Sequence, residues 1–248
     1  MERNFFILLI LLCFTSIFIH SGCSKEESNP TANNLSMTEE DAADYFAACF
    51  SESSSANGLS SQINESTYAA VGSKLPKASK TFLFDTVIVK QKSGEHYSYY
   101  YTISYGWDFT NLGNKLIFNF TIKGNFNGTK VTSVDTSDAV IYVNHIIDLK
   151  ANYLIEGSYT RKGNTSSKVR NKVSFTSTLN AVLDSIEVEK LTRKIMSGAI
   201  RITFAGKTST GKEFNFTGEL SYLGNSMASL KINSKTFTIN LATGEVVI

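Results

Sequence analysis

The stretch YSYYYTISYGW, residues 97–107, sets the pattern that decides the fold. Large apolar residues occupy every second position in it, namely Tyr97, Tyr99, Tyr101, Ile103, Tyr105 and Trp107. Alternation with a period of two indicates a strand with one buried and one solvent-facing side. Tyr100 has the opposite phase, so its ring is predicted to lie on the other face from its two neighbours.

The same alternation recurs toward the C-terminus. It is seen in LIFNFTIK (116–123), VRNKVSFTSTL (169–179), IRITF (200–204), FNFTGEL (214–220) and FTINL (237–241). Repeated strands with one apolar face are typical of antiparallel sheets, and about ten to thirteen strands fit the chain. The predicted core positions are Phe118, Phe120, Val173, Phe175, Ile202, Phe204, Phe216 and Leu220.

Glycine, asparagine and serine separate these segments. The predicted turns are Gly124-Asn125 with Asn127-Gly128, Lys162-Gly163-Asn164, Ser209-Thr210-Gly211, Gly224-Asn225 and Thr243-Gly244. Short turns join neighbouring strands, which favours an up-and-down meander. Sheets of this many twisted strands curl or split. We therefore expect a mainly β fold, in which the meander forms a strongly curved sheet, a partly closed barrel or two stacked layers, with one N-terminal helix packed on it.

That helix is predicted before the strands. Ser36 or Thr38 can cap it, and acidic residues at 39–41 suit the positive end of the helix dipole. An apolar stripe at helical spacing follows, made of Ala42, Tyr45, Phe46, Cys49 and Phe50. The stripe is expected to pack on the apolar face of the sheet. Residues Leu59 to Val71 have the pattern of a second, short helix.

The first residues have the pattern of a secretory signal. Arg3 precedes the apolar run 5–19, and Ser21 and Gly22 precede Cys23. The run is too short to span a bilayer, which takes ~20 residues. Small residues before a cysteine resemble the bacterial lipobox, although His20 stands where an aliphatic residue is usual. We expect cleavage after residue 22 and lipidation of Cys23, with enough acyl chains for a stable membrane anchor.

The residues after Cys23 carry a further signal. Ser24 is followed by Lys25, Glu26 and Glu27, which resembles the surface-export signal of Bacteroidetes lipoproteins. The alternative is an ordinary charged linker. We expect an outer-membrane location with the domain facing the cell surface. The predicted organisation is a signal peptide (1–22), a lipidated tether (23–36), the N-terminal helix (37–58), a connecting segment (59–80) and the antiparallel β domain (81–248), which forms one domain with the helix.

Composition excludes some classes of function. The net charge is +2, and the basic residues are spread along the chain, which argues against a nucleic-acid partner. Of the three cysteines, Cys13 leaves with the signal and Cys23 is acylated. Cys49 then has no cysteine with which to pair, and we expect its thiol to be buried.

The sequence contains no recognisable catalytic or metal-binding motif. His96 and His145 lie in separate strand regions, so no cofactor, metal or enzymatic activity is predicted. Glycoside hydrolysis needs two carboxylates across a cleft. The acids near predicted loops are Asp108, Asp135, Asp138, Asp148 and Glu156, and we expect them to be solvated turn residues. Asp135 and Asp138 also lack the rest of a calcium-binding loop.

The aromatic run offers the strongest ligand hypothesis. Tyr99, Tyr100, Tyr101 and Trp107 are interpreted first as a core strand with one ring outside. They could also form a sugar-binding platform, or line a cavity that holds an apolar ligand. Separately, Asp-Thr-Val and Asp-Ser-Ile resemble the Bacteroidetes O-glycosylation motif, with Thr86 and Ser185 as the acceptors.

Several short phrases resemble a family of Bacteroidetes surface-exposed lipoproteins that have an N-terminal helix and a β-meander. They are Gly157-Ser158-Tyr159 with Arg161 and Gly163, the run from Ser166 to Lys172, Ile195-Met196-Ser197-Gly198, Phe216-Thr217-Gly218, Leu223-Gly224-Asn225, Thr238-Ile239-Asn240-Leu241 and Thr243-Gly244-Glu245-Val246. The resemblance implies the compartment and the fold class. It brings no activity and no functional residues.

The sequence therefore predicts a non-catalytic, lipid-anchored surface lipoprotein with a binding or scaffolding role. Its predicted partners are the membrane, reached through Cys23, and other proteins of a surface complex. One alternative is a carrier that holds a hydrophobic ligand in a half-barrel cavity, and another is a glycan-binding module. An apolar cavity larger than side chains can fill would favour the carrier.

Overall fold

The computed structural model describes residues 36–52, 58–72, 84–94, 98–170 and 172–247. They belong to one compact unit, Asn34–Ile248. The predicted signal peptide, Cys23, Lys25, Glu26, Glu27, His96 and Tyr97 lie outside the described residues.

The described residues form two α-helices, eleven strands and a short 3-10 helix (Asn111–Gly113). The helices are α1 (Glu39–Phe50) and α2 (Leu59–Gly72), so the single helix expected on the sheet is joined by the second, short one. The strands are β1 (Phe84–Ser93), β2 (Ser98–Thr110), β3 (Lys115–Asn127), β4 (Val131–Asn144), β5 (Tyr153–Ser167), β6 (Ser174–Val188), β7 (Ile195–Thr208), β8 (Glu213–Gly224), β9 (Met227–Ile232), β10 (Lys235–Asn240) and β11 (Glu245–Val247). No helix in the described ranges is long and apolar enough to cross a membrane.

The strands form one antiparallel sheet in which spatial order follows chain order from β1 to β11. This confirms the predicted meander. Among the described strands no pairing joins β1 to β11, so the sheet is open and not a closed barrel. The turns after β2, β4, β6 and β8 lie at one end of the sheet, here called the distal end. The turns after β3, β5, β7 and β9 lie at the other, the proximal end.

The alternating pattern places the core on one face of the sheet. All eight predicted core residues are buried, from Phe204 and Leu220 at 0% exposure to Phe216 at 7%. Phe204 is the centre of an aromatic cluster, with ring centroids 5.0 Å from Tyr45 and 5.1 Å from Phe46. The rings of α1 therefore pack directly on this face, as predicted.

The predicted turn at Lys162-Gly163-Asn164 is wrong, because these residues lie inside β5. Gly163 is paired with Asp135 on β4. A Cβ atom at Gly163 would lie 2.5 Å from Asp135 Cβ and 2.4 Å from the Val134 carbonyl oxygen. The glycine therefore allows two strands to approach closely at this point, which is the other common use of a strand glycine.

The remaining turn predictions are mostly confirmed. Gly124-Asn125 is an exception, because it lies inside β3, and the chain turns only after Asn127. β6 begins at Ser174, later than the alternation from Val169 indicates. The chain turns as expected at Ser209-Thr210-Gly211, Gly224-Asn225 and Thr243-Gly244.

The start of α1 follows from its capping residues. The Thr38 Oγ1 atom accepts a hydrogen bond from the Asp41 backbone N–H at 3.2 Å, and the Asp41 carboxylate accepts one from the Thr38 N–H at 3.3 Å. This reciprocal pair is a capping box, which satisfies backbone donors at the helix start. Packing stabilises the rest of the helix, because its apolar residues are buried in the core shared with the sheet.

Ion pairs hold the start of α1 at the proximal end of the sheet. Arg170, from the turn after β5, pairs with Asp44 and lies 3.9 Å from Asp41. Lys130, from the turn after β3, lies 3.5 Å from Asp44. The Lys235 Nζ atom, at the start of β10, donates to Glu40 at 2.8 Å. Three turns are thus tied to one helix end.

Candidate functional site

The aromatic run on β2 divides between the two faces of the sheet as predicted. Tyr101 is buried, with 1% of its surface exposed, and its ring stacks on that of Tyr99 at 5.6 Å. Tyr100 faces the other way and is 46% exposed. Trp107 is half-buried and stacks on Phe118 at 6.3 Å. An external sugar platform on this strand would therefore rest on Tyr100, because the other three rings belong to the core side.

Both helices pack on the core face. On α2, Gln62 accepts a hydrogen bond from the Tyr105 hydroxyl on β2 at 2.9 Å. Ser60, also on α2, shares a hydrogen bond of 3.0 Å with the Tyr222 hydroxyl on β8. Both contacts are buried, so the polar atoms of these core tyrosines are satisfied by the helix that covers them.

A buried ion pair lies beneath α1. The Arg161 guanidinium on β5 donates to the Asp135 carboxylate on β4 at 2.6 Å and to Ser133 Oγ at 3.3 Å. The side chains of Arg161 and Asp135 are only 6% and 1% exposed. This corrects the expectation that Asp135 is a solvated turn acid. Burial opposes the charge on Arg161 and is the largest single effect on its pKa. The Asp135 carboxylate, together with Cys49, Tyr159 and Tyr45, outweighs it, and the pKa of Arg161 is raised.

Aromatic and thiol groups from α1 complete the surroundings of the pair. The Tyr45 ring lies 5.9 Å from the Arg161 guanidinium carbon, which is cation–π distance. Tyr45, Cys49 and Arg161 line an enclosed cavity of about 10 Å³, which is at the lower limit for one water molecule. Burial raises the pKa of Tyr45 and of Tyr159. This cluster is a close-packed polar core with no room for a ligand.

Cys49 should be inert in the folded protein. Its thiol is buried as predicted, and burial raises its pKa to about 11. At about pH 8 roughly one thiol in a thousand is then ionised, and thiolate is the reactive form. We expect negligible labelling of native protein by a chromogenic disulfide reagent, and complete labelling in urea. Rapid labelling of the native protein would contradict the packing of α1.

The same pKa shift predicts a pH effect on stability. Folded protein keeps the Cys49 proton at a pH where the unfolded chain loses it, so the unfolded state binds fewer protons. The free energy of unfolding should therefore fall as pH rises above the ordinary thiol pKa of about 8.5, toward the folded value of about 11. A urea titration of wild type and Cys49→Ala across this range measures the effect, and the slope should be shallower in the variant.

The other acids named from the sequence do not come together. Asp138 is exposed as expected, but it lies inside β4 and not in a turn, and it accepts a hydrogen bond from Thr121 Oγ1 at 2.7 Å. Asp108 lies on β2, and Glu156 is exposed on β5. Asp148 and His145 lie in the turn after β4. Within the described ranges no three histidine, cysteine, aspartate or glutamate side chains are placed to hold a metal ion.

The outer face of the sheet carries polar side chains interspersed with exposed valines such as Val134 and Val182, and it is shallowly grooved. One groove of about 680 Å³ is lined by Ser104, Asn119, Thr121, Asp138 and Thr160 among others. Cross-strand hydrogen bonds run along this face, such as Thr160 Oγ1 to Asn180 Oδ1 at 3.0 Å. Hydroxyl, amide and carboxylate groups on a solvent-facing surface can exchange hydrogen bonds with a polar ligand such as a sugar.

The two proposed O-glycosylation positions, Thr86 and Ser185, both lie in strands of the sheet. Ser185 lies in β6 at a register irregularity, has a φ of 50° and is exposed. Its hydroxyl donates to the Asp184 carboxylate at 3.1 Å. The backbone of Thr86 pairs with Tyr105 in the sheet, and its side chain lies outside the described residues. Ser185 is therefore accessible to a modifying enzyme.

Sequence reasoning missed Arg161 as a functional or structural centre. Arg161 is in phase with the buried residues of β5, since Tyr159, Arg161 and Thr165 all face the core. An arginine in phase with core residues is the signal that could have identified it. Comparisons with protein-family models, with curated proteins and with solved structures found no match to this chain.

Proposed function

We propose that this protein is a non-catalytic, lipid-anchored surface lipoprotein that binds or scaffolds through its exterior. The observation that carries the proposal is the packing of α1 and α2 over the core face, where the enclosed cavity at the ion pair measures about 10 Å³. A ligand therefore meets the outer face or the turns first. Asp135 and Asp138 lie on opposite faces of β4, which supports a role without paired catalytic carboxylates.

The proposal includes a strongly curved sheet. Tyr105 on β2 and Tyr222 on β8 are six strands apart, which is about 29 Å in a flat sheet. Both hydroxyls nevertheless reach α2, at Gln62 and Ser60, which are two residues apart. A sheet wrapped around the helix accounts for both contacts. Small-angle scattering should give a compact particle, and an extended slab would contradict this shape.

The proposed location rests on the sequence around Cys23. Residues 21–23 support lipidation, and Lys25, Glu26 and Glu27 support export to the outer surface of the outer membrane. The proposed partners are accordingly the membrane, through the anchor, and other surface proteins. The basic residues are not clustered along the sequence, which argues against nucleic acid as a partner.

Replacing Cys23 tests the anchor. After a high-salt wash, we expect Cys23→Ala to move the protein from the membrane fraction to the soluble fraction, because the acyl chains attach to that sulfur. The matched control is Cys49→Ala, which should stay with the membrane because Cys49 is a core residue. Retention of Cys23→Ala in the membrane after that wash would count against lipidation at this residue. Protease shaving of whole cells, with and without Ala at 25–27, separately tests which way the domain faces.

Native mass spectrometry separates the binding hypotheses. A carrier of a hydrophobic ligand would need α1 to leave the core face, against its ion pairs with Arg170 and Lys130. We expect the protein recovered from its own host to have the mass of the lipidated polypeptide alone. An additional apolar mass that is lost on denaturation would favour the carrier. Binding on a glycan array that is lost in Tyr100→Ala would favour a glycan module on the outer face.

A further inference from the structure

Three leucines at the distal end of the sheet are almost fully exposed. Leu112 follows β2, Leu149 follows β4 and Leu191 follows β6, and they are 97%, 93% and 91% exposed. Exposed apolar residues scattered over a surface need no explanation, but these occupy the tips of three successive distal turns. We call this set of turns, residues 111–115, 145–150 and 189–194, the distal rim.

Hydrogen bonds join the three turns into one surface. Asn114 accepts from the backbone N–H groups of Ile146 and Ile147, at 3.3 and 3.1 Å, which links the first turn to the second. The Lys190 Nζ atom donates to the carbonyl oxygens of His145 and Asp148, which links the second turn to the third. The leucines are thus held in a common frame and do not sit on independent loops.

The backbone at the first tip is unusual for an apolar residue. Asn111 and Leu112 have φ values of 51° and 54°, in the left-handed region. Asparagine tolerates this conformation, whereas leucine has no side-chain hydrogen bond to offset its cost. The turn therefore holds a leucine outward at a position that glycine or asparagine would fill more easily.

The distal rim is also basic. Its charged residues are five basic ones, Lys115, Lys150, Lys190, Arg193 and Lys194, and two acidic ones, Asp148 and Glu189. Five minus two leaves a net charge of +3, whereas the whole chain carries +2. Positive charge is therefore concentrated around the three leucines.

This combination fits a lipid surface better than a protein surface. Protein-binding hot spots are enriched in Trp, Tyr and Arg that fill pockets, and leucine is under-represented among them. Separate apolar tips surrounded by lysine and arginine can instead enter the acyl boundary while the charges remain among anionic headgroups.

We propose that the distal rim docks on anionic lipid bilayers, with Leu112, Leu149 and Leu191 inserted at the interface. The chain enters α1 at the proximal end, where Arg170 and Lys235 meet the helix. Strands of about 14 residues separate the two ends by roughly 45 Å. The rim is therefore a membrane contact distinct from the Cys23 anchor, and it does not depend on lipidation.

The test uses the chain from Ser24 to Ile248, which has no anchor and keeps every described contact. Cosedimentation is measured with vesicles of phosphatidylcholine alone and of equimolar phosphatidylcholine and phosphatidylglycerol. Wild type should bind the anionic vesicles, and the binding should weaken with salt. Leu112→Gln, Leu149→Gln and Leu191→Gln together should weaken it about a thousandfold, since each buried leucine contributes roughly a factor of ten.

Two further variants make the result specific. Val89→Thr, Val134→Thr and Val182→Thr together remove three exposed apolar side chains outside the rim and should leave vesicle binding unchanged. Lys150→Gln with Lys194→Gln should reduce the preference for phosphatidylglycerol. A nitrobenzoxadiazole dye on Leu149→Cys should shift its emission to the blue when vesicles are added.

Three outcomes would overturn the proposal. They are failure of wild type to bind anionic vesicles, equal binding by the leucine variant, and an unshifted dye. Self-association in light scattering that the leucine variant abolishes, with no vesicle binding, would assign the rim to a second copy of the chain. Cys23→Ala is fractionated after a high-salt wash, which weakens the charge-dependent rim contact but not a lipid anchor, so failure of the anchor and failure of the rim are distinguishable.

Discussion

Arg161→Met is expected to lower the free energy of unfolding by about 3–5 kcal/mol, because it leaves a carboxylate buried without its cation. The Asp135 side chain is 1% exposed, and it accepts a hydrogen bond from the Arg161 guanidinium at 2.6 Å. Methionine fills a similar volume, so lost packing contributes little to the change. Urea denaturation at neutral pH, followed by far-UV circular dichroism, measures the effect.

Two controls separate burial from charge. Arg161→Met with Asp135→Leu removes both charges and should recover most of the loss, since apolar replacement of a buried pair is often neutral or stabilising. Arg201→Met removes one partner of the exposed pair with Asp184, whose side chains are 63% and 48% exposed. That change should stay within about 1 kcal/mol. Equal losses from Arg161→Met and Arg201→Met would mean that the core pair is solvated.

Phe204→Ala is the second substitution with a large expected effect, about 3–5 kcal/mol. Phe204 is fully buried, and its ring contacts Tyr45 and Phe46 on α1 as well as Phe175 and Phe214 on the sheet. The change removes transfer free energy and leaves a cavity where the helix meets the sheet. Thermal and urea unfolding should both report it.

The matched control for this prediction is Tyr100→Ala. It also truncates an aromatic ring in a strand, but on the outer face, where the side chain is 46% exposed. Its cost should be well below that of Phe204→Ala, at about 1 kcal/mol. If both variants lost the same stability, the assignment of the core face would be wrong.

The strands were predictable because their signal is local. In segments such as 116–123 and 214–220 the side-chain period is two, and a one-residue slip would expose every core residue. Phe118, Phe120, Phe216 and Leu220 consequently lie where the pattern places them. The N-terminal helix was predictable for a similar reason, because Thr38 and Asp41 supply its cap within four residues.

The predictions for Asp135 and Gly163 failed because aspartate and glycine are common in turns but also occur inside strands. Glycine between lysine and asparagine is common in turns. Gly163 instead lies inside β5, where its lack of a side chain allows the strand to approach Asp135 on β4 closely. The partner that makes an aspartate tolerable in the core is 26 residues away, at Arg161. Pairing over that separation depends on strand register, which single-sequence alternation does not specify.

The distal rim was hidden for a related reason. Leu112, Leu149 and Leu191 each follow a strand and look like ordinary loop residues in isolation. They become a surface only because the meander places every second turn at the same end. The assignments at Cys23, Lys25, Glu26 and Glu27 lie outside the described residues and stay predictions from sequence.

Because α1 contacts the last strands of the chain, its packing on the sheet can be completed only after those strands have been synthesised. Each strand can pair with its predecessor as synthesis proceeds, but the Glu52 N–H bonds to the Leu241 carbonyl oxygen, and Lys235 pairs with Glu40. The apolar stripe of α1, made first, therefore lacks its full cover until the C-terminal hairpins exist. A nascent chain stalled before β9 would expose that stripe, and such an intermediate is the natural client for a chaperone.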